Sequence, residues 1–197
     1  MIQSSTETVL WAGSIVRYHN RPTAQRQTVA EHTWRMMVIY TELYGVPRAE
    51  IYQHIIYHDV PEIVTGDIPF MAKRYFPQLK QVLHHIELDH VPKKLDFDLP
   101  PLTPEERYQI KTVDLLEMLF FAVDDVNMGC LYSIDIINNI LEVLGDDENA
   151  RVYIRTKGYQ RSIDSIRFNG TSFDSSAAYK RRIQDAREMH GNVDGNS

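Results

Sequence analysis

Apolar residues recur every three to four positions in segment after segment of this chain, the spacing that turns one side of a helix toward a core. From about Thr6 to Arg17 the series is Val9, Leu10, Ala12, Ile15 and Val16, preceded by N-cap candidates in Ser4, Ser5 and Thr6. This first helix is expected to end near Tyr18, and the polar, proline-containing run 19–27 to form a loop able to carry function. Thr28–Tyr44 is the second predicted helix, with Val29, Trp34, Met37, Val38 and Tyr40 available for its core face and Gly45 and Pro47 to stop it. A third is expected from about Arg48 to Val64, closed by Gly66 and Pro69. Pro61 should kink or restart it, because proline lacks the amide and its ring crowds the preceding turn.

Residues 70–90 continue in helical spacing, with Tyr75, Leu79, Val82, Leu83 and Ile86 inward and a restart at Pro77. Pro92, Pro100, Pro101 and Pro104 mark a loop from Val91 to Pro104. Thr103-Pro104-Glu105-Glu106 reads as a helix start: threonine at the N-cap, proline in the first turn, carboxylates at the positive end of the dipole. That helix should run through Leu115, Leu116, Leu119, Phe120 and Val123, followed by helical patterns at Leu131–Leu144 and Asn149–Phe168. A polar loop at 169–176, an amphipathic segment Ala177–Met189 and a disordered tail at 191–197 complete the reading. No segment alternates convincingly. The expected class is all-α, one domain over residues 1–190.

Composition agrees with a single domain: 43% hydrophobic and 24% charged residues in 197 are ordinary for a soluble globular protein. The net charge of −6 argues against a nucleic-acid polymer as partner, since backbone binding relies on clustered lysine and arginine. Cys130 is the one cysteine, which excludes a disulfide framework and a cysteine-based zinc finger and fits a reducing compartment. The N-terminus has no basic n-region, and no segment approaches the ~18 apolar residues of a membrane span. The chain is expected in the cytoplasm, without a membrane partner.

Against this background the dipeptide His58-Asp59 changes the picture, because adjacent nitrogen and oxygen ligands suit a divalent metal. On a helix Glu62 would share a face with both. A second histidine with an acidic neighbour, Glu31-His32, opens the second helix, and Asp114 stands in the otherwise apolar run 110–117. Three or four such ligands with positions left for water describe a catalytic metal site. Taken singly these residues have ordinary explanations: a helical histidine is more often a core or surface residue, and Asp114 can pair with Lys111 on its own face. His54 and His58 have the spacing of a metalloprotease pair, but Ile55 stands where that motif needs glutamate. His84, His85 and the pair Asp89-His90 read as surface groups.

The joint pattern is more specific. Arg17-Tyr18-His19, the run Gln27-Thr28-Val29-Ala30-Glu31-His32-Thr33-Trp34, Tyr57-His58-Asp59-Val60-Pro61-Glu62, Thr65-Gly66-Asp67-Ile68-Pro69 and Lys111-Thr112-Val113-Asp114 follow one another over residues 6–125. In order and spacing this resembles the HD-domain metal phosphohydrolases, and within them the bacterial 5′-deoxynucleotidases and the phage deoxyadenosine triphosphohydrolases. The resemblance implies a helical HD-domain bundle with additional C-terminal helices. It implies that His32, His58, Asp59 and Asp114 hold a divalent ion, and that Glu62 and Asp67 serve catalysis and substrate placement. Cobalt, manganese, zinc and magnesium are the candidate ions. Such an ion lowers the pKa of its water and polarises a phosphoryl oxygen.

Glu62 is then the group to orient that water or accept its proton, and Asp67 to meet a ribose hydroxyl or the water network. Arg17, Lys73 and Lys111 are the cations for the phosphate, and for Lys73 and Arg74 a solvated pair on a helix is an equal alternative. Asn20 offers donor and acceptor to a base edge or is a turn residue. One departure stands out: the position after Arg17 is usually tryptophan in the family, thought to pack against the sugar, whereas here it is Tyr18, which adds a hydroxyl. The leading expectation is a deoxynucleoside triphosphohydrolase releasing triphosphate, most plausibly from dATP, and the alternative a deoxynucleoside 5′-monophosphatase. A non-catalytic nucleotide-binding HD domain is a distant third, because every expected position is filled. A small-molecule deoxynucleotide is thus the expected partner, and the family implies a homo-oligomer, dimer or hexamer, in the host cytoplasm if the chain is phage-encoded.

Overall fold

Thr103 accepts a hydrogen bond from the Glu106 amide while the Glu106 carboxylate takes the Thr103 amide, and this reciprocal cap launches the longest helix among the described residues. The computed structural model describes residues 5–68, 72–73, 76–86, 91 and 99–169. In chain order the elements are α1 (Ser5–Ala12), β1 (Val16–Arg17), β2 (Gln27–Thr28), α2 (Val29–Tyr44), α3 (Ala49–Tyr57), α4 (Glu62–Thr65), α5 (Pro77–His85), α6 (Pro104–Asn127), a single 3₁₀ turn at Leu131–Ser133, α7 (Ile134–Leu144), α8 (Glu148–Thr156) and α9 (Tyr159–Asn169). The all-α expectation holds. Among the described residues no helix is long and apolar enough to cross a membrane.

Helix α6 is the axis of the bundle, packing against α2, α3, α7, α8 and α9. Its apolar face (Val113, Leu115, Leu116, Leu119, Phe120, Ala122 and Val123) meets Met36 and Tyr40 of α2, Ile51 and Ile55 of α3, and Ile134, Ile137 and Ile140 of α7 in one continuous core. A second, smaller cluster of Ala12, Val60 and Val91 lies under the turn between α3 and α4, with Val9, Tyr57 and Ile63 at its edge. That cluster supports the segment bearing His58 and Asp59.

The structure corrects the sequence expectations in three places and bears out a fourth. The first helix stops at Ala12, and Val16–Arg17 instead pair antiparallel with Gln27–Thr28, in the register Val16 with Thr28 and Arg17 with Gln27. Two residues per strand leave no periodicity to read, and the pairing depends on a partner ten positions away. Trp34, Val38 and Val82, expected on core faces, are 62%, 39% and 56% exposed, so α2 and α5 turn narrower faces to the core than their apolar content suggested. The third helix ends at Tyr57 and restarts as α4 behind Pro61, the restart expected of that proline. The stretch 149–168 is split by Gly158, which takes a φ of 80° that a β-carbon would strain, into α8 and α9. Arg74, Tyr75, Asp89, His90, the segment Ala177–Met189 and the tail at 191–197 lie outside the described residues.

Candidate metal centre

Three separate pieces of chain deliver the site. Thr28 caps α2 and accepts from the Glu31 amide at 3.2 Å, while Glu31 Oε2 accepts from the Thr28 amide at 2.7 Å. Glu31 is thereby spent on the cap, and His32 in the first turn is aimed inward and fully buried. The end of α3 supplies His58 and Asp59, and α6 supplies Asp114. Nε2 of His32 lies 3.7 Å from Asp59 Oδ2 and 3.5 Å from Asp114 Oδ1, and Nε2 of His58 lies 3.2 Å from Asp59 Oδ1. Ligand atoms of His32, His58 and Asp59 fall within 4.8 Å of one another. Asp114 closes the fourth side through its Oδ1, while its Oδ2 takes the exposed Lys111 ammonium at 2.7 Å.

The tautomers follow from the other ring nitrogens. His58 Nδ1 donates to the Ile55 carbonyl at 2.7 Å and His32 Nδ1 donates to Glu117 Oε2 at 2.5 Å, so in both rings Nε2 is the atom left facing the carboxylates. Both Nε2 atoms are buried and make no hydrogen bond. A buried polar atom without a partner costs about 1–3 kcal/mol, so a pair of them converging on two carboxylates wants a cation between. Imidazole and carboxylate donors in that number fit a divalent transition metal, and the residues present therefore suit the ion that the sequence pattern implies.

Burial alone would lower the His58 imidazole, but the charges of Asp59, 3.2 Å from its Nε2, and of Asp114 hold it up at about 9, so without an ion the ring keeps on Nε2 a proton that a bound ion would displace. Burial opposes ionisation of Asp59 too, yet His58, Arg17 and His32 hold its carboxyl well below the usual range; Asp114 is held down likewise by Lys111 and His32. Both carboxylates are thus ready as ligands. Burial first, and then the charges of Asp59 and Asp67, push the Glu62 carboxyl up to about 8 against the pull of Arg17 and Lys73. One oxygen of Glu62 is buried without a partner. A carboxyl poised near neutral pH beside a metal-ligand cluster is suited to proton transfer.

Arg17, on β1, is 8% exposed, and its Nη1 makes only long contacts, 3.5 Å each, to Gln27 Oε1 and Glu117 Oε2. Its Nε has no partner, leaving donors free beside the anionic cluster. Tyr18 follows with a φ of 57°, a left-handed conformation rare outside glycine and asparagine. Two contacts hold it there: its amide donates to Asp67 Oδ2 at 2.6 Å, and its ring stacks on Phe121 with centroids 4.8 Å apart. The Tyr18 hydroxyl is buried and unpaired, and burial pushes it well above the ordinary phenol range. Asn20 and His19 lie exposed on the loop that follows.

Some residues stand where the sequence placed them and some do not enter. His54 Nε2 donates to the Pro100 carbonyl at 2.6 Å and takes no part in the cluster. His84 and His85 are exposed. Three polar residues had been given no role. Glu117, wholly buried, accepts from His32, from Gln27 Nε2 at 2.6 Å and from Arg35 Nε at 3.2 Å. Gln27 is the second. Asp125, also wholly buried, accepts from the amides of Ala24 and Gln25 and from the Ser133 hydroxyl, tying the 19–26 loop to the end of α6. A signal for Glu117 existed: a second carboxylate three residues after Asp114, in the same apolar run.

Comparison with known proteins places this geometry. The chain is 33% identical over 118 residues to a dATP triphosphohydrolase of cyanophage S-2L, an alignment covering 57% of this chain and 66% of that protein. It is 28% identical over 115 residues to a 5′-deoxynucleotidase of Pasteurella multocida, covering 47% of this chain and 58% of that one. The chain thus spans less than two thirds of the length of either relative. Among solved structures, the cyanophage S-2L HD phosphohydrolase bound to dA and one catalytic Zn2+ superposes with a TM-score of 0.59 at 23% identity, over 84% of this chain and 99% of the other. An HD-domain phosphohydrolase from Listeria innocua superposes with a TM-score of 0.66 at 16% identity, over 88% and 97%. Both likenesses are of fold. A family model described as 5′-deoxynucleotidase, YfbR-like, matches residues 12–114, more than half of the chain and every one of the four clustered side chains, and on that ground the chain belongs to the YfbR-like family.

Proposed function

We propose that this protein is a metal-dependent phosphohydrolase of 2′-deoxynucleotides, with dATP as leading substrate and triphosphate as released product. The observation that carries the reading is the pair of buried, unpaired imidazole Nε2 atoms facing Asp59 and Asp114. His32, His58, Asp59 and Asp114 would hold the ion, which when bound lowers the pKa of a water and polarises a phosphoryl oxygen. Zinc has the support of the cyanophage structure, and cobalt, manganese and magnesium remain alternatives in the same donor set.

Glu62 accepts the proton of the attacking water as its oxygen bonds to the α-phosphorus. The bond from that phosphorus to O5′ breaks, and the leaving O5′ takes up the proton that Glu62 accepted, which returns Glu62 to its carboxylate. Arg17, with unpaired donors, and Lys111 face the phosphate charge; Lys73, whose charge already acts on Glu62, is placed to join them. Tyr18 forms the wall for the sugar, and Asn20 on the open loop is offered to the base.

The second reading, a deoxynucleoside 5′-monophosphatase, is favoured by the description of the matching family and by the Pasteurella relative. It breaks the same phosphorus–O5′ bond and differs only in what the phosphorus still carries. Purified protein loaded with zinc, manganese or cobalt is incubated with the four dNTPs, the four dNMPs and ATP, and products are resolved by ion exchange. Triphosphate from dATP supports the leading reading, phosphate from dAMP alone selects the second, and no turnover with any metal overturns both. The described helices and the segments between them are taken as one domain within residues 1–190. Exposed Leu10, Trp11, Trp34 and Val38 give apolar surface for a dimer or hexamer of identical chains working in the cytoplasm, that of the host if phage-encoded.

A further inference from the structure

Behind the candidate metal centre lies a second polar layer, and one carboxylate organises it. Glu117 sits on α6 three residues after Asp114, one turn along the same helix, and none of its surface reaches solvent. An isolated buried carboxylate is unfavourable, so its four neighbours matter. Oε2 accepts from His32 Nδ1 at 2.5 Å and from Arg17 Nη1 at 3.5 Å; Oε1 accepts from Gln27 Nε2 at 2.6 Å and from Arg35 Nε at 3.2 Å. Arg35 is shared in turn with Asp124 at 3.5 Å, and Gln27 Oε1 returns to Arg17. Two positive side chains and two neutral donors thus surround one negative charge. The charge is satisfied, and it is satisfied by groups from three different elements.

Two of those four groups are the ones a phosphohydrolase must hold still. His32 can present its Nε2 lone pair to a metal only while Nδ1 keeps its proton, and the Glu117 oxygen is the acceptor that keeps it there. The same oxygen is the nearest anion to Arg17 Nη1, drawing the guanidinium to one side while Nε stays unpaired. We propose that Glu117 is the positioning residue that sets both the metal-binding tautomer of His32 and the placement of the Arg17 guanidinium, so that metal affinity and phosphate binding depend on one buried carboxylate. The proposal rests on the reading of this site as a metal-dependent phosphohydrolase. Gln27 and Arg35 have the lesser part of neutralising the far oxygen.

The sharpest variant is Glu117→Gln, which keeps the volume but leaves one acceptor oxygen for four donors. It is compared with the wild type by calorimetric titration of zinc and manganese into metal-free protein, and by competition of inorganic phosphate with turnover. The expected result is a 10–100-fold weaker metal affinity together with weaker phosphate binding, the size of effect that outer partners of a metal-binding histidine have. Glu117→Asp, charged but shorter, should fall between. An unchanged metal affinity in folded Glu117→Gln overturns the proposal. So does a weaker metal affinity with unchanged phosphate binding, because the link to Arg17 is then absent. If the wild type itself binds no metal, the phosphohydrolase reading fails first, and that outcome is visible before any variant is made. Should Glu117→Gln not fold, the wild type decides by nitrogen-15 NMR of its zinc-loaded form: a His32 Nδ1 proton slow to exchange with water supports the proposal, and a proton on Nε2 or one exchanging freely at Nδ1 overturns it.

Discussion

Helix α6 serves two regions built on opposite terms. On one face Leu115, Leu116, Leu119 and Val123 enter an apolar core with Met36, Ile55 and Ile137, where burial removes apolar surface from water and nothing polar has to be satisfied. On the other, Asp114 and Glu117 enter a layer with His32, His58, Asp59 and Arg17, where four buried polar atoms (Arg17 Nε, His32 Nε2, His58 Nε2 and Glu62 Oε2) have no protein partner. Each such atom costs stability, and the core makes up the difference. The contrast teaches where the two properties live: the core decides whether the chain folds, and the polar layer decides what the fold can hold. They should be separable by substitution.

The largest effects test that separation directly. His58→Ala and Asp114→Ala should each lower turnover by on the order of 10³-fold or more, since a bound ion contributes several kcal/mol to the transition state and each 1.36 kcal/mol is tenfold. Helical circular dichroism should stay at the wild-type level in both. Leu116→Ala makes the reverse case: it should cost about 2–5 kcal/mol of stability through lost burial and a cavity, with metal affinity retained below the melting transition. Activity surviving in either site variant, or metal binding lost in folded Leu116→Ala, would break the comparison.

Glu62 comes next. Glu62→Gln removes the proton acceptor and should slow turnover about 10²–10⁴-fold. It should also raise the melting temperature of the metal-free protein near neutral pH. The sign follows from the carboxyl being pushed up to about 8 from an ordinary value of 4.5: ionisation is harder in the folded chain, so the destabilisation grows as pH rises from 4.5 toward 8, and glutamine removes it. Melting curves at pH 5 and pH 8 check this, with the gain expected at pH 8 only. A lower melting temperature at pH 8 would show that Glu62 supports the fold.

How far the sequence could be read divides along the same line. Caps and breaks are local, so Thr103, Pro61 and the start of α6 were legible from a few neighbours. The four candidate ligands were drawn together by the order and spacing of motifs that resemble a known family, since taken singly each has an ordinary explanation. Glu117 stands in the same apolar run as Asp114, but its meaning depends on His32, 85 positions away, and no local pattern carries that distance. The short ladder at Arg17 and the left-handed Tyr18 were hidden for a related reason: each is fixed by a contact from elsewhere, Gln27 in one case and Asp67, 49 positions on, in the other. Trp34 misled because an aromatic in a helical series is a good candidate for the core, and only the direction of α2 shows that it faces outward.

Asp67 sharpens the comparison at the border of the polar layer. Its Oδ2 accepts the Tyr18 amide, so the 65–67 segment braces the turn that follows Arg17. An asparagine retains a carbonyl oxygen for that amide but cannot take up a proton. Asp67→Asn should therefore stay within a few-fold of wild-type turnover if bracing is its main part, whereas Asp67→Ala should raise KM about tenfold, the equivalent of one charge-assisted hydrogen bond at ~1.4 kcal/mol. Equal, large losses of kcat in both variants would instead make Asp67 a proton-handling group and move the line between scaffold and chemistry inward.

The smallest expected effect lies where the helix that carries His32 begins. Thr28→Ala removes the side-chain acceptor for the Glu31 amide and should cost about 0.5–2 kcal/mol of stability, read from the urea midpoint. The Glu31 carboxylate would still reach the Thr28 amide, and the His32 ring would still be bonded to Glu117. Metal affinity should then change less than twofold, because the ring is oriented by its buried partner and the cap merely sets the first turn. If metal affinity instead falls in step with stability, the orientation of His32 comes from the helix terminus, and core and polar layer are less independent than their construction on α6 suggests.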